Sequence, residues 1–364
     1  MKQANGHAAG HSPGALSALM IALVGASSLV LTGCSDDAAE PTDQSITIIG
    51  SSTVFPFAQQ VAKVAMAEND DLAAPDIAST GTSEGVAEFC KGEGPDTADI
   101  VNASRRMSVA EFEECQANGV SEIIEVKIGR DGIVFATDLE KGFDFNLTPD
   151  AIYRALSANP FGQEQGARAW REVDETLPNE PIVVYGPSPS SGTRDALMDV
   201  IMMPACASNR AMAALEQSDP AAFEANCHTL RDDSAYIAQG EKDELIVGKI
   251  ANNPRAIGIF GYSYLEENAG TIKALTLDGV APSAATIASG RYPGSRPLYF
   301  YVKKAHIGLT PGLLDYLASW PKEWKISGSL AQIGLVPAMA EDQAANAQAI
   351  ADQTTLTAQD LVEG

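Results

Sequence analysis

The chain has 364 residues, with 48 acidic side chains against 24 basic ones and a formal net charge of −24 at pH 7. A chain of this length favours two lobes or domains over one, and its ordinary hydrophobic content excludes disorder for the bulk of it. The charge makes nucleic acid and an anionic membrane surface poor partners.

In chain order, residues 1–33 read as a signal peptide: the apolar stretch Ala15–Leu31 is short, follows a weakly basic start and ends "LTGC" at 31–34. That ending resembles the lipobox of bacterial lipoproteins, which implies cleavage before Cys34 and acylation of that cysteine as an anchor. A simple membrane span is the alternative, and no later segment reads as one. Residues 34–44 read as a polar tether, and loss of Lys2 takes the net charge from −24 to −25. The processed chain keeps Cys90, Cys115, Cys206 and Cys227 besides Cys34. An even number in an exported chain favours disulfides. Of the three pairings, the two local ones, Cys90–Cys115 and Cys206–Cys227, are favoured, each contributing roughly 3 kcal/mol in the chain-entropy model. No CxxC occurs and only His228 and His306 remain, so no metal or other cofactor is expected.

Three strand, polar loop and helix units follow. "ITII" (46–49) precedes a helix with Pro56 in its opening turn and Phe57, Val61, Val64 and Glu68 on related faces. "APDIAST" precedes "SEGVAEFC", and "ADIVNAS" precedes "SVAEFEECQ", where Ser108 and Glu111 form a capping box. This alternation predicts an α/β layered fold with a largely parallel sheet. "EIIEVKI" and "DGIVFAT" read as two consecutive strands, and "LTPDAIYRALS" as a helix capped by Thr148 with Pro149 at its first position. "FGQEQGARAWREVDETLPNE" (161–180) reads as an exposed excursion. "PIVVYG" then leads into the helix of "PSPSSGTRDALMDVIM"; "AIGIFGYSY", "IKALTL" and "RPLYFYVK" read as β-like, and "SAATIAS" and "TPGLLDYLASW" as helices. "SLAQIGLVP" ends the patterned region, and residues 346–364 read from composition as a flexible tail.

Four polar loops share one design: "GSSTV" (50–54), "TGTSEG" (80–85), "NASRRM" (102–107) and "SPSSGTR" (188–194) each follow a strand and supply hydroxyls or glycines at a helix start. In an open parallel sheet such loops gather at the carboxyl edge of the strands, where free amides and the helix dipole favour an anion. One capping serine means little. Four such loops in one chain suit a tetrahedral oxyanion, whose four oxygens take many neutral donors and one or two cations. Arginine is the natural cation because its planar fork grips two oxygens. Arg105 sits in a post-strand loop and is the preferred choice; Arg194 reads equally as a ligand contact or as a solvated first-turn residue, and Arg106 as surface.

The set "GSSTVFPF", "GTSEG" followed by "FCKGEGPDTADIVNASRRM", "IGRDGIVF" and "YGPSPSSGT" resembles the PstS-like phosphate-binding proteins of bacterial ABC-type importers, in family order from about 45 to about 337. The resemblance implies a two-lobed periplasmic-binding-protein type II fold. Each lobe would be a mostly parallel sheet flanked by helices, about 45–129 plus 297–345 and about 130–296, with "DGIVFAT" and "PLYFYVK" as the two crossover strands. It implies phosphate ligands at Ser52, Thr53 and Val54, at Thr82 and Ser83, at Ser104 and Arg105, and at Ser191, Gly192 and Thr193. It also implies permease and ATPase subunits as partners, a lipid-anchored monomer in the cell envelope, and no enzymatic activity. One departure stands out. The best-known members carry an aspartate where this chain has Arg105, and an arginine shortly before "SGT" where this chain has "GPSPS". In those members the aspartate accepts the proton that phosphate carries and sulfate lacks. Here Glu84 or Asp131 could take that task, and Arg194 could supply a second cation.

The rival readings are a binder of sulfate or molybdate, a phosphate receptor without transport, and a serine hydrolase. Against the last, neither histidine lies in a motif loop.

Overall fold

The computed structural model describes residues 45–189, 191–239 and 243–363. The expectations for the signal peptide, Cys34 and the tether lie outside the described residues. The three opening units form as patterned: β1 (Thr47–Gly50) leads into the helix Phe55–Glu68, β2 (Asp76–Ile77) into Thr82–Phe89 and β3 (Ile100–Ala103) into Val109–Ala117. β1 pairs in parallel with both β2 and β3. Strand alternation sends Ile48 into a cluster with Val54, Phe57 and Val61, and Ile49 into a second one with Val86, Phe89 and Val101. Each face of this sheet is thereby covered, as a parallel sheet requires.

The two strands expected after Val120 are one. β4 runs sixteen residues, Ile123–Asp138, because the chain passes Gly129 without turning back. A side chain at Gly129 would sit 2.8 Å from the Val336 carbonyl, and the register of the neighbouring strand slips opposite it. After β5 (Asn146–Leu147) and β6 (Val184–Gly186) come β7 (Tyr236–Ala238), β8 (Ile257–Gly261), β9 (Ile272–Ala274), β10 (Thr276–Leu277) and β11 (Ser295–Lys303). The main sheet has the order β2-β1-β3-β11-β4-β8-β6-β7, with β9 also on β4 and β5–β10 a separate parallel pair. Two parallel triplets, β2-β1-β3 and β8-β6-β7, are thus stitched by antiparallel β11 and β4. β4 gives Ile124, Val126 and Ile128 to the core of the first triplet and Ile133–Ala136 to that of the second.

The sequence-read caps are present: Ser108 and Glu111 close a capping box, and Thr148 caps Pro149–Leu156. Both local disulfides, Cys90–Cys115 and Cys206–Cys227, are formed. Three local expectations are corrected. The run "AIGIFGYSY" is a strand only to Gly261, and Tyr262 opens a helix, Tyr262–Glu267. The excursion 161–180 is pinned by Trp170, 1 % exposed, and by Leu177. Residues 346–363 are packed rather than free, in two helices joined by a short extended link: Ala340–Asp352 lies on β4, where Asn346 Oδ1 accepts the Lys127 amide at 2.6 Å, Leu356 in the link is buried with its amide on the Ile123 carbonyl at 2.7 Å, and Ala358–Glu363 follows. Among the described residues no helix is long and apolar enough to cross a membrane.

Candidate functional site

All four donor loops meet at the seam between the two triplets. Gly50 ends β1 at φ +114°, and a Cβ there would lie 2.2 Å from the Asn102 carbonyl, so only glycine brings Ser51–Val54 down beside β3. The Ser51 amide then donates to that carbonyl at 2.9 Å. Thr82 and Ser83 open the second helix, and Thr82 Oγ1 accepts the Ser104 amide at 3.1 Å while sharing a hydrogen bond with Ser104 Oγ at 3.0 Å. This locks the second loop to the third. Ser191 caps the helix Gly192–Ala196 by accepting the Thr193 amide at 3.2 Å. The first and fourth loops touch: Ser52 Oγ donates to Asp195 Oδ2 at 2.5 Å and Thr53 Oγ1 to the Gly192 carbonyl at 3.2 Å. A Cβ on Gly192 would lie 2.9 Å from Thr53 Oγ1, which explains the glycine.

Two cavities flank this contact and share Ser52. The larger, about 560 Å³, takes Thr82, Ser83, Glu84, Ser104 and Arg105 from the expected set. The smaller, about 190 Å³, takes Thr53, Asp131, Ser191, Gly192 and Thr193. Two expected residues line neither cavity. Val54, expected to serve through its backbone amide, donates that amide to Ser51 Oγ at 3.4 Å while its side chain is buried in the core, and the Arg194 guanidinium stacks 5.3 Å from the centre of the Tyr236 ring.

Arg105 forks onto Glu111 at 2.7 and 2.9 Å and donates to Ser83 Oγ at 3.0 Å. Burial pushes the Glu111 carboxyl up, but hydrogen bonds from Arg105 and Ser108 outweigh it and hold the group below its ordinary value; the same fork raises Arg105. Arg106 is half-buried rather than a surface residue, forked onto Glu125. Around the larger cavity stand four acids, Glu84, Asp195, Asp199 and Glu224, against Arg105 and His228. The protein mass around Asp199 raises its carboxyl, opposed by the charge of Arg296. Among the described residues no group of three or more His, Cys, Asp or Glu side chains is placed to hold a metal ion.

Sequence reasoning missed Asp195, Asp199, Glu224, His228 and Arg296. The two aspartates stand four residues apart after "SSGT", a one-face spacing that could have been read. Arg296 is 5 % exposed; its Nη1 donates to Asp199 Oδ2 at 2.9 Å and its Nη2 to Thr53 Oγ1 at 2.6 Å and to the Gly192 carbonyl at 3.2 Å, with Nε 3.6 Å from Asp131 Oδ2. Its signal was an arginine in strand alternation with Leu298, a position that demands buried partners.

Comparison with known proteins places this arrangement. The family described as "PBP superfamily domain" matches residues 35–320. Protein SphX of Synechococcus elongatus is 30% identical over 275 residues, covering 72% of this chain and 70% of SphX. The phosphate-binding protein PstS of Staphylococcus saprophyticus is 26% identical over 273 residues, 74% of this chain and 73% of that protein. A crystal structure described as a possible phosphate binding protein from Planctomyces limnophilus superposes with a TM-score of 0.66 at 26% identity, over 85% of this chain and 98% of that one. The chain belongs to the PBP superfamily, as a PstS-like substrate-binding protein.

Proposed function

We propose that the protein captures inorganic phosphate in the larger cavity and delivers it to an ABC-type importer, without chemical change to the ligand. The observation that carries this reading is the convergence of Ser52, Thr82, Ser83, Ser104 and Arg105 on one cavity whose far wall is acidic. Hydroxyls and a guanidinium serve the oxygens of an oxyanion, and a carboxylate serves its proton. Asp195 is the acid we assign to that task, because it already accepts a hydroxyl proton from Ser52 at the cavity edge. A sulfate dianion has no proton to offer, so it would set charge against charge there. The names of the relatives, phosphate-binding proteins among them, support the same ligand. Hydrolysis draws no support: among the described residues no cavity serine hydrogen-bonds His228, although His228 lines the wall.

In this reading 45–129 plus 297–345 and 130–296 are lobes that hinge on β4 and β11. Residues 1–33 are removed, Cys34 carries the lipid, and the protein works as a monomer on the outer face of a membrane. Calorimetric titration with phosphate, alone and against sulfate and molybdate, tests the ligand. Arg105→Ala should weaken phosphate at least tenfold, and Asp195→Asn should shrink the preference for phosphate over sulfate. Turnover of a phosphate ester, or equal affinity for all three anions, overturns the proposal.

A further inference from the structure

Arg296 sits near the start of β11, opposite Asp131 of β4, on the two strands that join the triplets. It lines neither cavity, yet its guanidinium reaches both sides of the seam: Thr53 Oγ1 in the first loop, and the Gly192 carbonyl and Asp199 behind the fourth. A guanidinium this buried is costly to leave unpaired, and because its Nε has no hydrogen-bond partner, the bonds from Nη1 and Nη2 carry its pairing. Separating the first loop from the fourth breaks at least one side of that set. If the arginine stays with Asp199, it loses the 2.6 Å bond to Thr53; if it follows Thr53, it loses Gly192 and Asp199.

We infer that Arg296 is a positioning residue, an interlobe latch that favours approach of the first and fourth loops whether or not an anion is bound. The inference rests on the two-lobed binding reading above, but its consequence differs from that of a ligand contact. When only the closed form binds, apparent affinity scales with the fraction of protein already closed. A latch therefore multiplies the affinity for every oxyanion by one factor and leaves selectivity alone. It also acts on the empty protein, which a residue that merely touches phosphate cannot do.

The test uses Arg296→Gln, and Arg296→Lys as the conservative variant that keeps the charge near Asp131 and Asp199 but loses the fork. For the glutamine variant we expect phosphate affinity to fall about tenfold, chiefly through faster release in stopped-flow, with the phosphate-to-sulfate ratio unchanged within twofold. Small-angle scattering of the phosphate-free protein should show a larger radius of gyration than wild type, returning to the wild-type value at saturating phosphate. The lysine variant should fall between the two, and it carries the test alone if the glutamine variant does not fold. An unchanged radius in the empty protein overturns the latch, as does a changed phosphate-to-sulfate ratio. If the wild type binds no phosphate, the functional reading fails by itself, and scattering from the empty variants still decides whether Arg296 joins the lobes.

Discussion

Lys303 is fully buried at the end of β11, with its ammonium donating to Thr97 Oγ1 at 2.8 Å and lying 4.9 Å from the centre of the Phe89 ring. Burial pulls its pKa from 10.5 down to about 8, and the charges of Asp99, Glu93 and Glu88 only partly oppose it. Each unit corresponds to about 1.4 kcal/mol, so the charged lysine costs the folded state about 3 kcal/mol at neutral pH. Lys303→Met removes that cost, and with it one hydrogen bond and one cation–π contact of about 1 kcal/mol each. The variant should therefore be about 1 kcal/mol more stable than wild type at pH 7. The sign with pH follows from proton counting. Between about 8 and 10.5 the unfolded chain still holds a proton that the folded chain has released, so wild-type stability rises with pH across that window. The advantage of the methionine variant should shrink there and reverse by about pH 10. Buried tyrosines, Tyr299 and Tyr262 among them with pKa values near 12, pull stability the other way at high pH, but they are common to both proteins and cancel in the difference. Urea unfolding at pH 7, 8.5 and 9.5, compared at equal m-values, measures it. A difference that does not change with pH, or a methionine variant much less stable at pH 7, would refute the reasoning.

Two further outcomes are expected. Asp233→Asn should destabilise the fold by about 3 kcal/mol at pH 7, since it strips the forked partner from the buried Arg231, which also holds the Ala155 and Ala167 carbonyls. Hydrogen bonds from Arg231 bring the Asp233 carboxyl from 3.8 to about 2, so this stability is present above the ordinary value and lost as pH falls through about 2; acid titration of both proteins by circular dichroism should show the gap closing there. Gly50→Ala should cost at least about 2 kcal/mol in thermal or denaturant unfolding and weaken anion binding as well, because both its φ of +114° and the Asn102 carbonyl stand against a side chain.

What the sequence made legible is what short segments decide. Glycine turns, capping hydroxyls, the Ser108–Glu111 box and the local disulfides each depend on residues within about one helix or one loop, and the four donor loops were found that way. Arg296 was not, because its partner Thr53 is 243 positions away, and Asp195 meets Ser52, which is 143 away. The packed C-terminal segment was missed for the same reason: Ile350 and Leu356 are sparse apolar marks in an Ala/Gln/Asp-rich stretch, and only the exposed edge of β4 gives them something to cover.

The substitution at position 105 can now be argued as half of an exchange. The resemblance places an acid in the third loop and a cation before the fourth; here the third loop holds Arg105 and the helix of the fourth holds Asp195. A lone guanidinium inserted into the third loop would leave an uncompensated charge in a half-buried wall. Glu111, which the sequence marks only as a helix cap, takes two of its hydrogen bonds and keeps it neutralised in place. Arg105 Nη2 also donates to Ser83 Oγ, and both residues line the larger cavity. On the proposed reading, acceptor and cation line the same cavity with their sides reversed, which would keep both halves of the chemistry that a protonated oxyanion needs. It follows that Arg105→Asp alone should not restore the family pattern, because it would set a carboxylate against Glu111 with no cation opposite; only together with an arginine introduced before "SGT" should phosphate affinity return. Calorimetry on the single and double variants decides it, and a single variant that binds as well as wild type would show that no exchange had taken place.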